Sequence, residues 1–198
     1  MQHLLVVAHP DEHSFTMGLA HAYADELDRL GHSRLTCDLY RMEFNPVLSA
    51  NEMRSAPTGA AVRPDVAQAQ DDIRAADVLT VFYPLWWLSM PAILKGFIDR
   101  VFARGFAYEA ENGNVRGLLT GKHAVLVTCS GAPLPALVER GRWNAVHVLQ
   151  DTHIFRSAGF EVLEHVHFDE IGPSLPPAKA ARHMDRIRQC ARQHFPQV

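Results

Sequence analysis

The feature that most constrains this chain is a change of hydrophobic period that recurs along its length. Residues 3–8 (HLLVVA) form a short apolar run rich in β-branched side chains, and the run stops at His9-Pro10. Such a run reads as a strand buried on both faces, as the strands of a parallel sheet are. From Ser14 onward the spacing is helical, with Phe15, Leu19, Tyr23, Leu27 and Leu30 on one face, Ser14 placed as N-cap and Gly31 as terminator. The alternation continues with a strand at 33–40, a helix at 64–76 with Pro64 in its first turn, and a strand at 78–83. Pro91 opens a helix whose apolar face is Ile93, Leu94, Phe97, Ile98, Val101 and Phe102. A strand at 123–129, a helix across 143–157, a strand at 160–168 and a basic amphipathic helix at 178–194 complete the series.

Five strands alternating with helices predict an α/β three-layer sandwich, a parallel sheet with helices on both faces and right-handed crossovers. At 198 residues the chain is expected to be a single domain spanning 1–198. Ligands in such folds bind beyond the carboxyl ends of the strands, where strand order reverses. The loops after the first, third and fourth strands therefore carry the functional expectation. The connection 41–63 is also longer than most, and such loops are often functional.

Composition removes several classes. Lys plus Arg number 19 against 22 Asp plus Glu, a net charge of −3, which offers phosphate backbones and anionic lipid no general attraction. The three cysteines, Cys37, Cys129 and Cys190, lie far apart without a CxxC, so a reducing, cytoplasmic setting is expected. The start MQHLLVVAHPDE lacks a basic segment and has no secretory pattern. The densest apolar stretch, Val78 to Leu94, is broken by Pro84, Ser89 and Pro91 and falls short of the ~20 residues of a membrane span. Among the histidines, His165 and His167 alternate with Asp169 on one strand face, which could be a metal site; a polar strand end is the preferred reading, and no metal is expected.

The first loop, HPDEHSF, runs into a helix whose free amides suit a phosphate, with His9, Ser14, Phe15 and Thr16 placed to add donors. It has neither GxGxxG nor GxxxxGK[ST], and a plain N-cap at Ser14 is the competing reading. The third loop, PLWWLSMP, holds Trp86 and Trp87 between prolines, suited to a planar ligand or to packing at an interface. The fourth, TCSGAPLP, offers Thr128, Ser130 and Gly131 as donors, while Cys129 has no His or Asp pattern beside it and reads as a structural thiol.

Three segments, AHPDEHSF, FNPVLS and YPLWWLSMPAILKGFIDRVFARGFAYE, resemble the NAD(P)H:quinone oxidoreductase (DT-diaphorase) family of flavoproteins. The third is the most specific, with PLxW, PAxLKGxxDRVF and GFAY in order. The resemblance implies a flavodoxin-like fold with strand order 2-1-3-4-5, a homodimer with flavin at its interface, and two-electron transfer from NAD(P)H through the flavin to a quinone or similar small planar acceptor. By position it places His9, Ser14, Phe15 and Thr16 at the flavin's phosphate arm and Pro84, Leu85, Trp86, Trp87 and Leu88 around its ring. Thr128, Cys129, Ser130 and Gly131 stand where the family has Thr-Thr-Gly-Gly, so Ser130 departs from a glycine. Tyr108 and Trp87 are expected to line the acceptor pocket, Tyr108 from the other subunit.

A larger departure follows. The loop after Gly131 is shorter than the family's, its Tyr has no counterpart, and its His falls near Arg140, which becomes the candidate for stabilising charge on the reduced site, with Glu139 and His147 as substitutes. The 41–63 segment and FNPVLS favour FAD, with FMN the alternative because the adenylate contact has no counterpart in SAPTGAAVRP. Arg182 is a second adenylate candidate, though solvated helix charge is the preferred reading. A flavodoxin-type electron carrier and a flavin-containing regulatory subunit of a transporter are the competing functions; the modest charge and Tyr108 count against the carrier.

Overall fold

The computed structural model describes residues 1–55, 63–111 and 113–197. In chain order the elements are β1 (Gln2–Val7), α1 (Phe15–Arg29), β2 (Ser33–Asp38), α2 (Ala50–Ser55), α3 (Pro64–Ala75), β3 (Val78–Pro84), α4 (Ala92–Val101), β4 (Tyr108–Glu111), β5 (Asn114–Gly117), β6 (His123–Cys129), α5 (Leu134–Glu139), α6 (Arg142–Val146), a π-helix (His147–Arg156), β7 (Glu161–Phe168) and α7 (Pro177–His194). The main sheet is parallel with order β2-β1-β3-β6-β7, which is the expected 2-1-3-4-5 once the hairpin β4–β5, in a sheet of its own, is set aside.

Alternation along β1 builds both core layers. Leu4 and Val6 point into the layer shared with Val66 and Ile73 of α3 and Leu94 and Phe97 of α4. Leu5 and Val7 point the other way, against Leu19, Tyr23 and Leu27 of α1 and Ile187 of α7. Ser14 caps α1 as expected, accepting from the Met17 amide at 3.3 Å, and Gly31 follows the helix with φ of 82°.

Several elements depart from the sequence reading, among them the short helices α2, within the connection 41–63, and α5, after β6. The hairpin β4–β5 was not anticipated, because its strands YEAE and NVRG are short and mixed in polarity; the sequence sign was Asn112-Gly113, a pair suited to a two-residue turn. The helix expected at 143–157 begins as α6 and continues as a π-helix. Its buried residues, Val146, Gln150, Asp151 and Phe155, recur at a wider spacing than an α-helix would give, as suits bonds from residue i to i+5. Two adjacent polar side chains, Gln150 and Asp151, are thereby turned inward.

The resembling segments FNPVLS and LKGFIDR touch each other. Pro46 lies so close to α4 that a Cβ on Gly96 would fall 2.2 Å from the Pro46 carbonyl oxygen. Phe44 packs on Phe97 with ring centroids 5.4 Å apart. The buried Arg100 guanidinium donates to the Asn45 carbonyl at 2.6 Å, to Asp65 at 2.7 Å and to Glu52 at 2.7 Å, and lies over the Phe44 ring. Ser49 and Glu52 bond reciprocally at the start of α2, a capping box that presents Glu52 to Arg100. Burial opposes charge on Glu52, but the Ser49 and Arg100 bonds outweigh it and hold the carboxyl below its usual range.

A Gly96→Ala substitution is expected to cost about 1–3 kcal/mol, because backbone, not a flexible side chain, occupies the space; urea unfolding measures it. His3 supplies a second expectation. It is fully buried against His32 and Phe195, neither ring nitrogen has a partner among the described residues, and burial first, then His32, pushes its pKa down to about 4. The unfolded chain takes up that proton first as pH falls, so stability should drop between about pH 6.5 and 4, by up to roughly 3 kcal/mol. A His3→Phe variant should flatten that slope in melts taken across the range.

Candidate active site

Three strands deliver their loops to one edge. The Ala8 amide donates to the Phe82 carbonyl at 2.9 Å, the Leu85 amide to Cys129 at 2.8 Å, and the Ser130 amide to Phe168 at 2.9 Å. The loops after β1, β3 and β6 therefore leave side by side, at the reversal of strand order between β1 and β3.

In the first loop His9 Nδ1 lies 3.1 Å from both the Asp11 amide and the Asp11 carbonyl, which ties the ring to the loop and leaves Nε2 without a partner among the described residues. The His9 and Trp86 rings lie 5.8 Å apart, so the first and third loops face each other. Phe15 and Thr16 are in the first turn of α1, where amides lack helical acceptors and no acidic residue compensates the dipole. The Thr16 side chain is buried and donates to the Cys129 sulfur at 3.7 Å, tying the first loop to the fourth from beneath. Burial pushes the Cys129 thiol up to about 12, which keeps it neutral and unreactive, as a structural thiol should be.

The third loop is a tight turn from Trp86 to Ser89, closed by the Ser89 amide on the Trp86 carbonyl at 3.0 Å. Both central residues, Trp87 (φ 54°) and Leu88 (φ 61°), are left-handed without being glycine. Such backbone costs on the order of 1 kcal/mol per residue and persists only when the surroundings impose it. Here Gln150 from the π-helix donates to the Leu88 carbonyl at 3.3 Å, and Tyr83 from β3 fixes Gln150 by donating to its Oε1. The turn drives the Trp87 indole wholly into solvent, 99% exposed, while Pro84 and Leu85 stay buried and Trp86 is half-exposed. Trp87, Leu88, Met90, Tyr108, Val115 and Leu149 border a groove of roughly 870 Å³. Trp87 and Tyr108 both line this groove within one chain.

In the fourth loop the side chains face a buried polar cluster. Thr128 Oγ1 lies 2.9 Å from both His165 Nε2 and His167 Nδ1, His167 Nε2 is 3.0 Å from Ser130 Oγ, and Ser130 donates to the Ala132 carbonyl. His165 Nδ1 is 2.7 Å from Asp151 Oδ1, whose other oxygen meets His147 Nδ1. Trp143 covers the three imidazoles, 4.7 to 5.0 Å away. Burial, then the adjacent His165, pushes His167 down to about 4. Burial alone would raise Asp151, but bonds from and charge on His165 and His147 outweigh it and hold the carboxyl low. Asp169 does not join: it accepts from the Leu134 amide and pairs with Lys179.

Gly131 has an amide without an acceptor among the described residues, as do Trp87 and Leu88. With the His9 Nε2, the α1 amides and the apolar groove, these open donors fit a flat heterocycle carrying a phosphate arm. Arg140 is exposed at the end of α5, with no bond or ion pair among the described residues, and Glu139 is exposed beside it. Arg182 is exposed on α7, as its reading as solvated charge expects. The segment SAPTGAAVRP, in which the adenylate contact finds no counterpart, spans 55–64, and its residues 56–62 lie outside the described residues. Sequence reasoning missed Trp143, Gln150 and Asp151; nothing in the chain order ties them to β7, and only the π-helix turns them inward.

The chain belongs to the family described as having a flavodoxin-like fold, which matches residues 1–193. Its similarity runs in particular to NAD(P)H oxidoreductases, as the three segments implied. It is 37% identical over 172 residues to an uncharacterized NAD(P)H oxidoreductase of Haemophilus influenzae, covering 86% of this chain and 85% of that one. It is 29% identical over 195 residues to NAD(P)H dehydrogenase [quinone] 1 of Rattus norvegicus, covering 89% and 71%. Among solved structures, the NAD(P)H:quinone oxidoreductase from Methanothermobacter marburgensis superposes with a TM-score of 0.87 at 26% identity, over 98% of this chain and 96% of that one.

All three cysteines are buried, and burial pushes Cys37 up to about 11 and Cys190 higher still. Iodoacetamide at pH 8 should therefore label none of them quickly in the native protein and all three in denaturant, as mass spectrometry would read.

Proposed function

We propose that the protein is a flavin-dependent NAD(P)H dehydrogenase, one domain over 1–198, that reduces a quinone or similar small planar acceptor by a two-electron, ping-pong route. The observation that carries this reading is the strained Trp86–Ser89 turn, which holds a bare indole opposite Tyr108 beside unpaired amides at the strand-order reversal. The relatives named as NAD(P)H dehydrogenases support it. A bound flavin would supply the hydride chemistry, taking hydride from the nicotinamide and passing it on.

The chain's part is binding and orientation. His9 Nε2 and the Phe15 and Thr16 amides, behind the Ser14 cap, hold the phosphate arm. The amides of Trp87, Leu88 and Gly131 bond the polar edge of the ring, with Pro84, Leu85 and Trp86 beneath. Thr128, Cys129 and Ser130 shape that edge from the sheet. Trp87 and Tyr108 stack one planar partner at a time and exclude water from it. Arg140, a cation without a partner among the described residues, stabilises negative charge on the reduced site.

FAD is the favoured flavin over FMN, since Arg100 and Gly96 pin the long 41–55 segment in one place. The exposed Trp87, Val115, Val148 and Leu149 support a homodimer, and three free cysteines a cytoplasmic setting. No described helix is long and apolar enough to cross a membrane.

The test is the visible spectrum of the purified protein, identification of the released flavin, and oxidation of NADH and NADPH with menadione. Bound flavin with rapid turnover is expected. Flavin without turnover would move the reading to a carrier or regulatory subunit, and no flavin after reconstitution would sink it. Trp87→Ala should raise the KM for menadione severalfold while changing stability by no more than about 0.5 kcal/mol, because the indole buries nothing. Arg140→Ala should lower turnover; unchanged turnover would remove Arg140 from the mechanism.

A further inference from the structure

The polar cluster behind the fourth loop has a direction. A carbonyl only accepts, so the Ser130 hydroxyl proton points at the Ala132 oxygen, 3.0 Å away. Ser130 Oγ then accepts from His167 Nε2–H, which leaves Nδ1 of this neutral imidazole bare to accept the Thr128 hydroxyl proton. Having spent its proton, Thr128 Oγ1 accepts from His165 Nε2–H. His165 Nδ1 faces the Asp151 carboxylate at 2.7 Å, a contact that requires a second ring proton. The bonds together make His165 an imidazolium, buried and paired with Asp151, with every donor beyond it pointing toward the loop.

We propose that His165, Thr128, His167 and Ser130 store one mobile proton, which moves from His165 to the ligand edge at Ser130 when negative charge is held there and returns when that charge leaves. The transfer balances. His165 gives its Nε2 proton to Thr128 Oγ1, Thr128 gives its own to His167 Nδ1, His167 gives its Nε2 proton to Ser130 Oγ, and Ser130 releases its hydroxyl proton to the acceptor. His165 ends neutral with Nδ1–H still on Asp151, the two hydroxyls now donate toward the sheet, and one positive charge has crossed from β7 to the loop. No heavy-atom bond changes and no electron moves.

The titratable groups facing this chain are Tyr83 from β3, His147 and Asp151 from the π-helix, and His165, His167 and Asp169 from β7. Tyr83 stays protonated through burial and Asp169 is engaged with Lys179, so Asp151, braced by His147, holds the stored charge in place. Ser130 is the partly exposed end of the path. These are positioning residues for whatever lies against the loop. The proposal rests on the reading of that loop as the edge of a flavin site, and it gives a use to the serine that stands where the family has glycine.

The test is long-range 1H–15N correlation spectroscopy of the histidine rings in the full chain at pH 7.5. At rest, His165 should be protonated at both nitrogens and His167 at Nε2; a singly protonated His165 would overturn the proposal. With flavin bound and reduced by dithionite, His165 should lose its Nε2 proton and His167 should switch to Nδ1–H. Rings that do not respond would overturn it. Thr128→Val should abolish the response, and so should Ser130→Gly, a change at a partly exposed position at the end of β6; the same response in both variants would overturn the path. A protein that takes up no flavin sinks the functional reading alone, because the resting protonation of His165 and His167 tests the store without any ligand.

Discussion

The parallel ladder between β3 and β6 runs to Pro84 opposite Cys129, and the Leu85 amide closes it on the Cys129 carbonyl at 2.8 Å. That register sets the height at which the third and fourth loops leave the sheet, and the Thr16 to Cys129 contact sets the first loop against them. Among the described residues, the donors of the site come from three loops with no hydrogen bonds to each other above the sheet. Their relative positions are inherited from strand pairing and from one buried hydroxyl-to-sulfur contact. A slip of one residue in β6 would exchange Thr128 and Cys129 between the sheet faces, placing a thiol among the histidines and a hydroxyl under α1.

The layers behind the site do different work. On one face, α4 carries Arg100, which gathers a carbonyl and two carboxylates and so fixes a long segment with little regular structure. Loss of both carboxylates would leave a buried, uncompensated guanidinium, at a cost of several kcal/mol. On the other side of the edge, the π-helix turns Gln150 toward the strained turn and Asp151 toward the histidines. One widened helix thus sets both the backbone of the Trp pair and the charge behind the fourth loop.

The strands, the cap at Ser14 and the three loops were legible in the sequence because each is a local matter of period, apolar content or capping chemistry, whereas the order of the strands came only from the family resemblance. The resembling segments were legible as well, but the reason FNPVLS accompanies LKGFIDR was not: Pro46 against Gly96 is a contact between residues half a hundred positions apart. The hairpin escaped because its strands carry no apolar alternation. His165 and His167 were visible as one strand face, yet their partners were not, since Asp169 is nearer in sequence and Asp151 nearer in space. The left-handed pair at Trp87 and Leu88 had no sequence sign at all, because neither residue type favours that backbone.

Quinones are electrophiles as well as oxidants, and a thiolate adds to their ring. If the acceptor is of that class, a protein that binds it turnover after turnover risks alkylating itself. Cys129 lies at the end of β6, at the base of the fourth loop, yet it is capped by Thr16 and held as a neutral thiol. The burial that disqualifies this cysteine as a nucleophile also makes the site resistant to its own substrate.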